Sequence, residues 1–125
     1  MTSPMIPVSR GELLDKIAIL RIKTRRLLAP EARANAANEL TALRQAAECP
    51  TGTAELEAAL MAVNTRLWRI EDLIREKDAA GDFGPGFVAL ARAVYHENDE
   101  RGRIKLALNR LLGSALVEEK QYSVY

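Results

Sequence analysis

Hydrophobic and polar positions divide the chain into four stretches of helical period. In "SRGE", Ser9 followed by Glu12 forms a capping-box pattern, in which each side chain satisfies the other's backbone N–H at a helix start. Val8, just before the cap, is placed to staple onto Leu13 or Leu14. From Leu13 onward Ile17, Leu20, Leu27 and Leu28 keep one face, until Pro30 stops or kinks the helix. A second, alanine-rich stretch runs from about Pro30 to Glu48, with Leu40 and Leu43 as its anchors. "CPTGT" breaks it. Thr53 is then placed to cap a third helix, whose Leu56, Leu60, Val63, Leu67, Ile70 and Ile74 make a long apolar stripe. "AAGDFGPG" ends that helix. The fourth starts near Pro85, carries Phe87, Leu90, Ala91 and Val94 on one face, and reaches Leu112 with Gly113 as its C-terminal cap.

The pattern predicts an all-α, single-domain antiparallel helical bundle of three to four helices over residues 1–125. Residues 1–8 form an extended lead-in and residues 114–125 an ordered C-terminal tail. Short connections imply an up-down-up-down order. In the alternative, the first two helices are one long helix kinked at Pro30. The tail, "SALVEEKQYSVY", either adds a helical turn or wraps back across the bundle.

The fourth helix breaks its own pattern. Extending the Phe87–Val94 stripe by the same period reaches Asn98, Arg101, Lys105 and Asn109, with Tyr95 and Asp99 beside them. Gly102 lies among them, costing helix stability while letting a backbone or a ligand approach closely. On the third helix Asn64, Trp68, Glu71 and Arg75 border the core stripe, and on the first Glu12, Lys16 and Lys23 line up beside Leu20 and Leu27. Asp15 falls on the other flank, between Ile19 and Ile22.

Unpaired ions buried between helices cost several kcal/mol each, on the order of the desolvation penalty, so these groups must pair, bind something or face water. In one reading they pair with neighbours such as Glu12–Lys16, Glu71–Arg75 and Asp99–Arg101, and tie the helices in register. In the other they line an inter-helical pocket. Lys16, Arg75, Arg101 and Lys105 would then hold an anion, with Asn64, Asn98 and Asn109 as directional hydrogen-bonding groups. Trp68 would be a stacking wall, with Tyr95 and Asp99 nearby.

Composition narrows the options without naming a reaction. Eighteen Lys/Arg against seventeen Asp/Glu give a net charge of +1, so nothing global attracts the chain to nucleic acid. The basic run "RIKTRR" points several ways around a helix and reads as a solvated surface. No apolar run approaches a membrane span and no signal pattern opens the chain, which suggests a cytoplasmic protein. Cys49 is the only cysteine and His96 the only histidine, so no intrachain disulfide or multi-histidine metal site is expected. No cofactor motif or catalytic set is visible.

The blocks "SRGELLDKIAIL", "VNTRLWRIEDLIR" and "FVALARAVYHENDERGRIKLALNRLLGSALVEEKQYSVY" together resemble an uncharacterised family of short all-helical bacterial proteins, known only as a domain of unknown function. The likeness covers nearly everything but the second helix. Matched position by position, it implies Ser9, Glu12, Asp15 and Lys16 as family residues in the first block, and Asn64, Trp68, Asp72 and Arg75 in the second. In the third it implies Tyr95, Asn98, Asp99, Arg101, Lys105 and Asn109, then Glu119, Lys120 and Tyr122 in the tail. It also implies a carbohydrate or nucleotide-sugar context. The expected function is therefore binding, or transformation, of a small anionic molecule such as a nucleotide sugar or sugar phosphate. The alternative is a non-catalytic homodimeric or accessory module whose polar stripe is structural.

Overall fold

The computed structural model describes residues 2–48 and 51–121; Cys49 and the tail residue Tyr122 lie outside that range. It contains four helices: α1 (Arg10–Arg26), α2 (Pro30–Ala47), α3 (Ala54–Ala79) and α4 (Pro85–Leu111). The described residues outside them form no strand.

Local chemistry sets the boundaries. Ser9 occupies the N-cap of α1 and its hydroxyl accepts from the Glu12 N–H at 3.1 Å. Only that half of the expected capping box forms, because the Glu12 carboxylate is drawn to Lys105 instead. Leu27 leaves the helix in extended backbone, and Pro30 opens α2 at its first turn, where a missing N–H costs nothing. α1 and α2 are thus separate helices joined by a short turn, not one kinked rod. Thr53 sits at the N-cap of α3 but donates its hydroxyl proton to the Glu57 carboxylate. Pro85 again opens a helix, and Gly113, at φ +60°, ends α4 with a Ser114 N–H to Asn109 carbonyl bond of 2.8 Å.

α1 is the central helix. It packs against each of the other three, α3 packs against α4, and the backbone of α2 approaches α1 alone. This is why a single stripe describes α1 poorly. Leu14 and Ala18 join Leu60, Val63, Ile104 and Leu108 in one core cluster, while Leu20 joins Ala36 and Leu40 in a second, and Ile17 touches both. Leu28, placed on the core face by periodicity, is exposed, because the helix has already ended. The tail past Ser114 forms no helical turn and runs back against α4.

Candidate functional site

The polar stripe of α4 is real, and it meets α1 in two separate places. The lower one surrounds the N-terminus of α1, whose first N–H groups have no partner inside the helix. Three side chains supply one. The Arg10 N–H donates to Ser114 Oγ at 3.1 Å, the Gly11 N–H to Asn109 Oδ1 at 2.6 Å, and the Glu12 N–H to Ser9 Oγ. Gly11 is required here, because a Cβ would overlap the Lys105 carbonyl oxygen. A close backbone approach of this kind is thus found at Gly11, while Gly102 lines a cavity between α4 and the tail.

Lys105 is buried beside this cap. Its ammonium contacts Glu12 Oε2 at 2.6 Å and Glu118 Oε2, from the tail, at 2.9 Å. Burial alone would push the Lys105 pKa down, but the hydrogen bonds to the two carboxylates outweigh it and hold the value above 10.5. The Lys105 hydrogen bond correspondingly holds Glu118 below its usual 4.5, against a smaller opposing effect of burial. Lys105 and Asn109, both expected to face a ligand, fasten α1, α4 and the tail together and also line a cavity of about 100 Å³ between α4 and the tail.

The upper place is a cleft between α1, α3 and α4. Asp15, wholly buried, lies at its base. Its carboxylate accepts from Asn64 Nδ2 at 2.8 Å and from Arg101 through Nε at 3.0 and 3.1 Å and Nη2 at 2.7 Å. This is a bidentate, charge-assisted clamp that fixes the guanidinium plane. The remaining Arg101 nitrogen, Nη1, donates to Asn98 Oδ1 at 3.3 Å. Above it opens a cleft of about 220 Å³, walled by Ile19, Ile22, Leu67 and Trp68, with Lys23 and Glu71 among its lining residues.

Of the ten residues expected to bind a ligand, the structure brings Asn64, Trp68, Asn98 and Arg101 together in this cleft. It separates the other six. Lys105 and Asn109 belong to the α1 cap. Arg75 is exposed and contacts Glu71 at 3.8 Å, and Lys16 is exposed outside the cleft lining. Tyr95 is partly exposed, accepts from Arg92 Nε at 3.4 Å and lies against the His96 ring at 4.9 Å. Asp99 is buried but two residues from Arg101, which places it on the opposite side of α4. The expected convergence of four cations is not found.

Asp15, Lys23 and Glu71 were absent from the expected set. A signal for Asp15 exists in the sequence: Asp15, Ile19 and Ile22 share one helical line, an acid aligned with core residues. Lys23 and Glu71 also stood on polar lines that helical periodicity marks, Lys23 with Lys16 and Glu71 with Asn64 and Trp68.

Among the described residues no group of His, Cys, Asp and Glu could hold a metal ion, and no helix is long and apolar enough to cross a membrane. No curated protein and no solved structure matches the chain. Residues 5–125 match the family model described as "Family of unknown function (DUF6165)", and the chain belongs to that family.

Proposed function

We propose that the chain is a small-molecule-binding module whose site is the cleft over Asp15, with Trp68 as its apolar wall and Arg101, Asn98 and Asn64 as its hydrogen-bonding base. One observation carries this: Arg101 is held by a wholly buried carboxylate while the guanidinium still borders an open cleft. A buried ion pair is a weak way to gain stability, since apolar residues of similar size often serve as well or better. Its use here makes sense if the guanidinium must be held in one orientation for something that enters the cleft. The volume is below the roughly 300 Å³ at which sites for drug-sized ligands begin. Of a nucleotide sugar or sugar phosphate, only one end group would enter. None of the lining residues forms a nucleophile–base pair, so the proposal is binding, in a cytoplasmic protein.

The test is a thermal-shift screen against nucleotides, nucleotide sugars, sugar phosphates and small dicarboxylates. A ligand at a hundred times its Kd should add about 2.7 kcal/mol of stability. That shift should vanish in Trp68→Ala; an equal shift in the variant would sink the assignment.

A second reading, a homo-oligomeric interaction module, is favoured by a different observation. None of the residues from 68 to 98 is buried, although Ile70, Leu73, Ile74, Phe87, Leu90 and Val94 keep an apolar pattern, and Phe83 and Val88 are exposed. A two-helix hairpin of this kind has no second layer to cover it within the described chain.

A further inference from the structure

We propose that two copies of the chain pair antiparallel, the α3–α4 tip of each seated on the α1–α2 turn of the other. This rests on the second reading above, the interaction module, and adds the orientation of the copies and the contacts that set it.

A single stripe of α4 carries the argument. Its lower part, Asn98, Arg101, Lys105 and Asn109, faces α1 or the cleft beside it. Its upper part, Phe87, Leu90, Ala91 and Val94, is apolar, and none of these four is buried. Polar groups thus lie where a helix covers the stripe, and apolar ones where none does. Helix lengths explain why. α1 has 17 residues and α4 has 27, and the two are level where the Gly11 N–H meets Asn109. Two to three turns of the α3–α4 hairpin, roughly 10–15 Å, therefore stand beyond the end of α1. The backbone of α2 approaches α1 alone, so the molecule has a step. The α1–α2 turn is its floor and the apolar stripe its wall.

A second copy turned end for end fits this step, because its own projection has the same length. Its tip then comes to rest on the α1–α2 turn, and the two ends are chemically complementary. The turn presents Leu28, 91% exposed, beside Arg25 and Arg26, and residues 21–28 hold four cations and no carboxylate. The tip presents Phe83, 58% exposed, and residues 76–82 hold Glu76, Asp78 and Asp82 against the single cation Lys77. Among the described residues Arg25, Arg26, Glu76 and Asp78 have no ion-pair partner. A parallel pairing would set acidic tip beside acidic tip and leave Leu28 of each copy in water. The wall is at most about 15 by 20 Å, roughly 300 Å² per copy, which is under half of what a stable interface covers. The contacts between tip and turn are therefore needed to complete the dimer, which is reversible and weakened by salt.

The experiment is sedimentation of the intact chain from micromolar to millimolar concentration, at low and high salt. The native protein should dimerise reversibly, and less in high salt. Two variants each reverse one patch: Arg25→Glu with Arg26→Glu, and Glu76→Lys with Asp78→Lys. All four residues are exposed, so both variants should melt close to the native protein. Each variant alone sets like charge against like at both contacts and should dimerise at least about tenfold more weakly. Mixed together, the two variants set opposite charges against each other at both contacts, and the mixed dimer should recover the native strength. A chain that stays monomeric throughout overturns this inference and the interaction module together. A dimer that ignores both reversals, or variants that do not recover on mixing, overturns the antiparallel arrangement and leaves the interaction module standing.

Discussion

Gly11 and Asp15 lie one helical turn apart on α1 and are both buried, yet each answers to a different part of α4. At Gly11 the constraint is space. Gly11→Ala would press a methyl group into the Lys105 carbonyl oxygen, backbone that cannot step aside, and should cost about 1–3 kcal/mol in a thermal melt. At Asp15 the constraint is charge. Asp15→Ala should cost about 3–5 kcal/mol by leaving Arg101 without its partner, whereas Asp15→Leu combined with Arg101→Met should melt close to the native protein. If the double replacement is as damaging as the single one, the pair is structural and the case for a held-open guanidinium fails. Asn98→Leu should leave the melting temperature nearly unchanged, because Arg101 keeps all its bonds to Asp15. Periodicity found Asn98, Arg101, Lys105 and Asn109 as an anomalous line, but not what each one meets. Asp15 and Arg101 are 86 residues apart, and their meeting depends on how two helices are rotated about their own axes, which a repeat along one helix does not encode.

The elements themselves were legible because their ends are marked by residues with few alternatives: Ser9, Pro30, Pro85 and Gly113 each stand within two residues of an observed boundary. Less legible was which face of α1 is buried, since a central helix with neighbours on several sides has no single stripe. The tail was left open between a helical turn and a return across the bundle, and the structure shows the return, fastened by Glu118 on Lys105. That fastening has a defined pH window. The Glu118 pKa is lowered, so the stability it contributes is complete above 4.5 and is lost as pH falls through the lowered value. The Lys105 pKa is raised, so its contribution is complete below 10.5 and is lost as pH rises through the raised value. Asp15 and Glu12 face Lys105 as well, and Arg101 and Lys120 face Glu118. Backbone resonances of residues 115–121 should therefore narrow toward a free chain on acidification below about 4.5, and Glu118→Gln should show that narrowing already at neutral pH. Identical titrations in the two proteins would show that the tail is held by something other than this pair.

For the molecule as a whole, the sequence foretold an all-α bundle but not the inequality among its helices. α2 leans on α1 alone, and the outer half of the α3–α4 hairpin has no covering layer among the described residues. If that hairpin pairs with a copy of itself, sedimentation should show a dimer that Phe87→Glu converts to a monomer; a native protein that is already monomeric rules out the pairing. The cap on α1 bears on how the chain is made. Two of the three side chains that close its first turn are 98 and 104 residues further along, at the last turn of α4 and just past it, counted from Gly11 and Arg10. A nascent chain leaves the ribosome at about 5–20 residues per second, N-terminus first. The Arg10 and Gly11 amides therefore stay with water while the next 98 residues are made, and the first turn of α1 is fully closed only once the end of α4 and Ser114 have emerged.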